Sequence, residues 1–219
     1  MRLLAVDTAL GACSCAIVDD ARVLAHRFEV MERGHAERLA PMVDEAMRES
    51  GLAFSDLERL AVTTGPGTFT GQRIGLAFAR GLRVALKITL TGITTLEAMA
   101  TAAIAETGAE YAVAIHDAKR NEVYFELLRE DETLIPAAIA TFEDALATIS
   151  NVVRKAKIVF SGTAAEAAAI KYEGDAILSS IRQPDALWVA RIALTREASN
   201  EAPKPLYLRP PDAKLPAQR

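Results

Sequence analysis

The order of secondary-structure signals along this chain runs through once and then repeats, and that repeat constrains the fold more than any single motif. Arg2–Val6 is a short apolar run before Asp7 and reads as a buried strand. Ser14–Val18 and Val23–Phe28 follow as strands around an Asp19-Asp20 turn. From His35 to Ser50 the period becomes helical, with Leu39, Met42, Val43, Ala46 and Met47 on one stripe and Gly51 as the stop. A strand over Leu60–Thr63, a helix over Thr70–Leu86, a strand over Ile88–Thr91 and a helix over Thr95–Thr107 complete the first half. The second half repeats the order. Strands over Tyr111–Ile115, Glu122–Leu128 and Leu134–Ala140 lead to a helix over Phe142–Ile149 capped by Thr141. A strand over Lys157–Phe160, a helix over Ala164–Tyr172, a strand over Ala176–Leu178 and a helix over Leu187–Ala198 follow. Matched elements are offset by about 95 to 110 residues, the spread coming from loop lengths. The expected fold is two α/β lobes, 1–108 and 109–219, with a cleft between them. Each lobe would hold a mixed sheet, an antiparallel meander joined to parallel crossovers and flanked by helices.

Composition removes several classes of function. The 219 residues are enough to bury a core, and 51% hydrophobic with 25% charged residues is a globular balance. Lys+Arg 25 against Asp+Glu 29 leaves a net charge of -4, so a strongly basic nucleic-acid footprint is absent. Apolar runs are short and broken by charges, which fits no membrane span. Asp7 comes too soon for a signal peptide, so the chain is placed in the cytoplasm. Cys13 and Cys15 are read as small buried hydrophobes pointing to opposite faces of a strand and unable to bridge. They and the scattered His26, His35 and His116 show no zinc spacing. The proline-rich tail from Ala202 to Pro211 reads as an extended segment docked through Leu206 and Leu208, with a Pro-x-x-Pro ligand as the other reading.

Each motif has a functional and a plainly structural reading. Asp7-Thr8 ends a strand and opens a hairpin containing Gly11. An acid there can hold hydrated magnesium beside amides that bind phosphate; equally, it can be a capped turn. Gly65-Pro66-Gly67-Thr68-Phe69-Thr70-Gly71-Gln72-Arg73 joins a strand to a helix. It lacks the lysine of a P-loop and the third glycine of a dinucleotide fingerprint. The structural alternative is a tight turn with Thr70 as N-cap and Gly71 allowing close helix packing. Asp117-Ala118-Lys119-Arg120-Asn121 occupies the equivalent turn in the second half, so Asp7 and Asp117 would flank the cleft; alternatively Asp117 is a solvated hairpin tip. Gly162, in Ser161-Gly162-Thr163, is either a nucleotide-accepting turn or an ordinary one. His35 opens an amphipathic helix at the surface, and His116 and Asp117, adjacent on an extended chain, point apart. No nucleophile–base pair stands out. The first two long helices carry wide apolar faces. Leu39, Met42, Val43 and Met47, with Ile74, Phe78 and Leu82, make either a seam for a partner or an ordinary core face.

The duplicated lobe resembles the actin, sugar-kinase and heat-shock-ATPase superfamily, with its ribonuclease-H-like lobes. Five segments narrow this to a resemblance to the bacterial TsaB (YeaZ) family: Leu4-Ala5-Val6-Asp7-Thr8, His35 to Met42, Gly65 to Ala77, Asp117 to Tyr124, and Pro205-Leu206-Tyr207-Leu208-Arg209. They run in the family's order over nearly the whole chain, and the Gly-Pro-Gly run is the most specific. The resemblance implies a non-catalytic partner of the TsaD subunit, which transfers threonylcarbamoyl to the adenosine beside the anticodon of tRNA. It implies a TsaE-like ATPase in the same complex, tRNA reached through the complex, a homodimer when alone, and no resident cofactor. It places the partner face on His35, Leu39, Met42, Val43, Phe69, Arg73, Ile74, Phe78 and Leu82, and a vestigial nucleotide site at Asp7, Thr8, Asp117 and Gly162. The catalytic relative carries two histidines four apart on a helix; Thr95 and Met99 align with them here, so no metal site is expected. Two departures stand out. Ala9 replaces the family's usual serine and removes a hydroxyl near the phosphate site, and Gln72 replaces leucine near the expected partner surface. The rivals are an ATP-binding phosphotransferase or ATPase using Asp7, Asp117 and the Gly162 turn, and a metallopeptidase.

Overall fold

The computed structural model describes residues 1–199 and 201–209. Two five-stranded sheets carry the chain. In the first, β1 (Arg2–Asp7), β2 (Ala12–Asp19), β3 (Arg22–Val30), β4 (Arg59–Thr63) and β5 (Thr89–Ile93) lie in the order β3-β2-β1-β4-β5. In the second, β6 (Tyr111–Asp117), β7 (Glu122–Arg129), β8 (Glu132–Thr141), β9 (Ile158–Ser161) and β10 (Ala176–Leu178) lie in the order β10-β9-β6-β7-β8. The two orders are the same path walked twice. In each sheet the first three strands pair antiparallel and the last two pair parallel, as the element order requires.

The helices are α1 (His35–Ser50), α2 (Phe69–Leu86), α3 (Thr95–Thr107), α4 (Phe142–Val153), α5 (Ala165–Lys171) and α6 (Ala186–Thr195). The expected ends of α1 and α3 coincide with the observed ones, because Gly51 and Gly108 supply left-handed caps at φ 70° and 68°. Strand ends differ from expectation by two residues at most; β5 starts at Thr89 and runs on to Ile93.

Alternation sorts each strand's residues onto two faces. Leu4, Val6, Cys13, Cys15 and Ile17 face outward beneath α1 and α2. The two cysteines are therefore on the same face, not opposite ones, since positions two apart on a strand share a face. Their thiols lie against Met42, with Cys13 Sγ 3.9 Å from its sulfur and Cys15 Sγ 3.7 Å from its carbonyl oxygen, and both are free. The inward face of the first sheet, with Leu3, Ala5, Ala61 and Ile93, packs on Val189, Ala190 and Ala193 of α6. The inward face of the second, with Ala112, Ala114, Leu128 and Val159, packs on Leu96, Met99, Ala100 and Ala103 of α3. The last helix of each half thus packs on the sheet of the other half, and α3 and α6 touch each other between the two sheets. Their alanines permit that close approach. Where a cleft is expected, the middle of the molecule is packed.

Candidate functional site

Asp7 ends β1 on the inward face and is completely buried. Its Oδ1 accepts from Thr63 Oγ1 at 2.5 Å and from the Ala9 amide at 3.1 Å, while Oδ2 has no partner. Burial pushes this carboxyl up to about 7, against the pull of the two hydrogen bonds. The backbone beyond it is spent on packing. Thr8 Oγ1 donates to the Gly71 carbonyl at 2.7 Å and accepts from the Gly75 amide at 3.0 Å. Thr68 donates its amide to the Ala9 carbonyl at 2.9 Å. A Cβ at Gly67 would stand 2.3 Å from Ala9 O, and one at Gly71 2.2 Å from Thr8 O. The glycine-rich run therefore brings α2 against the backbone of the Thr8-Ala9 turn.

The helix N-cap is Thr68, not Thr70: the helix begins at Phe69, and Thr68 Oγ1 accepts from the Gly71 amide at 3.0 Å. Gln72 is buried rather than at a partner surface, with its Nε2 donating to Gly67 O at 3.0 Å. His35 is also buried, not superficial, with Nε2 3.1 Å from the Leu10 carbonyl oxygen. Leu39, Met42 and Val43 are core residues on the inner face of α1, each 1% exposed or less. Ile74, Phe78 and Leu82 are half-buried beside them, whereas Phe69 and Arg73 stand outside, clustered with Tyr207.

The second half does not match the first group for group. Asp117 is exposed, and its Oδ1 accepts from the Lys119 amide at 2.8 Å, which holds the carboxyl below its ordinary range. The residue of β6 that shares the inward face with Ala112 and Ala114 is His116. It is 7% exposed, its Nδ1 is unpartnered, and burial pulls it down to about 4. Gly162 sits at φ 100°, and a Cβ there would stand 2.2 Å from Ile115 O, so only glycine fits; its amide donates to Ile181 O at 2.8 Å. The Gly11 amide of the first hairpin is taken by Gln183 Oε1 at 2.9 Å. The Ala9, Gly11 and Gly162 amides are thus committed to the chain itself.

A buried acid pair escaped the sequence reading. Glu126 on β7 accepts from Thr94 Oγ1 at 2.5 Å and is pushed up to about 7, chiefly by burial. Glu97 on α3 is also raised by burial and pairs with Arg196. Alternation on β7 marks Glu126 as facing the interior, but no local pattern names its partners. Thr95 and Met99 are fully buried, and among the described residues no three His, Cys, Asp or Glu side chains gather as a metal site.

The two sheets and their helices have the actin-like ATPase fold. The Clostridium difficile activator of 2-hydroxyisocaproyl-CoA dehydratase, solved with ADPNP, shares the fold at TM-score 0.51, 13% identity and 89% and 94% coverage of this chain and that one. Residues 25–201 match the family described as "TsaD: tRNA N6-adenosine threonylcarbamoyltransferase". The structure titled YeaZ from Pseudomonas aeruginosa superposes at TM-score 0.76 with 32% identity, covering 94% of this chain and 99% of that one. The chain belongs to this TsaD-related family, on its TsaB (YeaZ) branch. TsaB of Escherichia coli is 42% identical over 132 residues, which is 60% of this chain and 57% of that protein. The matched stretch spans just over half the length of the TsaB proteins of Escherichia coli and Haemophilus influenzae.

Proposed function

We propose that this chain is a non-catalytic subunit of tRNA threonylcarbamoyladenosine biosynthesis that binds and activates a TsaD-like catalytic subunit, alongside a TsaE-like ATPase in the cytoplasm. The names of its relatives support the pathway, and the self-occupied amides around Asp7 and Gly162 support the lack of its own chemistry.

The observation that carries the partner reading is the outer face of α2. Gly81 lies in mid-helix, exposed, and a Cβ there would meet nothing within 4 Å. Glycine at such a place costs about 1 kcal/mol against alanine, and nothing among the described residues recovers it. With Ala77 and Ala85 it makes a flat strip shouldered by half-buried Ile74, Phe78 and Leu82 and by Val84, which is 74% exposed. A partner helix laid on that strip accounts for the glycine and for the exposed valine. The partner face is thus kept on Ile74, Phe78 and Leu82 of α2 and withdrawn from His35, Leu39, Met42 and Val43, which are buried, and from Phe69 and Arg73, which cluster with Tyr207 at the start of the helix.

Light scattering after size exclusion tests this with the chain alone, expected as a homodimer, and mixed with its TsaD-like partner. A one-to-one complex is expected. Val84→Glu and Gly81→Leu should weaken it at least tenfold without loss of folding. Gly81→Ala should raise the chain's own stability by about 0.5–1 kcal/mol in urea melts. An unchanged complex with both bulky variants removes the α2 face from the reading.

A further inference from the structure

The segment Ala202–Arg209 lies across both halves of the molecule. Leu206 donates its amide to Thr64 O at 2.7 Å, and the Arg80 guanidinium donates to Pro203 O. At the far end, Arg209 Nη1 donates to Ala118 O at 2.9 Å and Nη2 pairs with Glu122. Between these anchors Tyr207 stands beside Phe69, with ring centroids 5.6 Å apart. Arg73 lies 3.5 Å over the Phe69 ring, and its Nε donates to the Tyr207 hydroxyl at 3.0 Å. Phe69 is 50% exposed and Tyr207 42%, and the terminal nitrogens of Arg73 donate to no described residue.

The neighbouring surface is positive and strained. Arg209, two residues along the strap from Tyr207, grips the hairpin tip Lys119-Arg120-Asn121. Those three residues are consecutive left-handed positions at φ 64°, 58° and 61°, none of them glycine. They project exposed side chains, that of Lys119 being 82% exposed. Among the described residues, Asp117 pairs with Lys119 and Glu122 with Arg209.

A guanidinium stacked on one ring and tied to another keeps its plane fixed and its remaining donors outward. Half-open aromatic faces accept a nucleobase, and adjacent cations accept phosphodiester oxygens. An acidic peptide would satisfy the cations and leave the rings unused. We propose that this strap-built face contacts a single-stranded or loop segment of RNA, with a base on Phe69 and Tyr207, Arg73 at its edge, and Lys119 on the backbone. The inference rests on the tRNA reading above and deepens it, by giving this subunit its own RNA contact on a chain whose net charge is -4.

The test is fluorescence anisotropy with a labelled anticodon stem–loop RNA, titrated with the full chain and with its complex with the TsaD-like subunit. Arg73→Ala and Tyr207→Ala should each weaken RNA binding about tenfold. Lys119→Ala should flatten the logarithmic salt dependence by about 0.7. Circular dichroism and light scattering on the same samples read folding and subunit assembly separately. Unchanged RNA affinity in all three variants overturns the proposal. So does a loss of subunit assembly in Arg73→Ala without RNA, which would make the face a protein contact. A wild-type chain that adds no affinity to the complex overturns it as well. Intact assembly with no RNA effect leaves the partner reading standing, so the two fail separately.

Discussion

Asp7 and His116 occupy corresponding inward faces at the ends of the leading strands of the two halves, yet they titrate in opposite directions. Asp7 is an acid whose buried carboxyl is pushed up to about 7; His116 is a base whose buried ring is pulled down to about 4. The same physical cause, loss of water, acts on both and favours the uncharged form of each. The repeated strand order has therefore preserved a topology without preserving a chemistry. In the first half the turn after the strand binds α2; in the second, the turn projects as a basic tip pinned by Arg209.

The largest effect should come from contrasting two glycines. Gly162→Ala places a Cβ 2.2 Å from a backbone oxygen at a φ of 100°. It should cost about 3 kcal/mol or more, read as a large fall in the urea midpoint. Gly81→Ala should act with the opposite sign, because its site is open and helical. Equal effects at the two sites would mean that neither the close contact nor the left-handed angle governs Gly162.

What the sequence made legible follows the range of the interactions involved. The α1 stripe ends at a glycine that caps it, and both signals are local, so its boundaries are readable. The sheet order follows from the element order, since a three-strand meander and a crossover leave few arrangements. The exchange of α3 and α6 between the sheets was not readable, because an alanine-rich helix advertises no preferred partner. The wide apolar stripe of α1 suggested an interface and proved to be core, because a helix over a sheet and a helix over a partner ask for the same residues. The inward placement of His116 is legible by alternation, two along from Ala112 and Ala114, whereas its unpartnered burial depends on packing that no local pattern encodes.

The pH behaviour gives the next largest effect and tests the pairing of Asp7 with His116. Asp7 holds its proton more tightly folded than unfolded between 3.8 and about 7, so its contribution falls as pH rises through that window. His116 is protonated more readily unfolded than folded between about 4 and 6.5, so its contribution grows as pH rises there. The two slopes oppose each other, each reaching about 1.4 kcal/mol per pH unit at most. Glu126, also pushed up to about 7 by burial, adds a second falling slope, so the native protein should lose stability as pH rises between 4.5 and 6.5. Asp7→Asn should flatten that fall, and His116→Gln should steepen it, in urea melts across that range. Parallel profiles in the two variants would break the comparison.

The smallest effect should come from Asp117→Asn, and its smallness is informative. Asp117 holds the left-handed turn through its Oδ1 and the Lys119 amide, and it also meets Lys119 Nζ at 3.0 Å. Asparagine keeps an oxygen for the amide and loses only the ion pair, which is exposed and worth about 0.5 kcal/mol or less. That contribution is present above the ordinary carboxylate range and is lost as pH falls through the depressed folded value, so the variant should differ from the native protein at neutral pH and converge with it in acid. Asp117→Ala removes the amide acceptor as well and should cost more at every pH. If the asparagine variant costs as much as the alanine one, the ion pair rather than the backbone hydrogen bond holds the turn, and the second hairpin is anchored through solvent-exposed charge where the first is anchored through buried contacts.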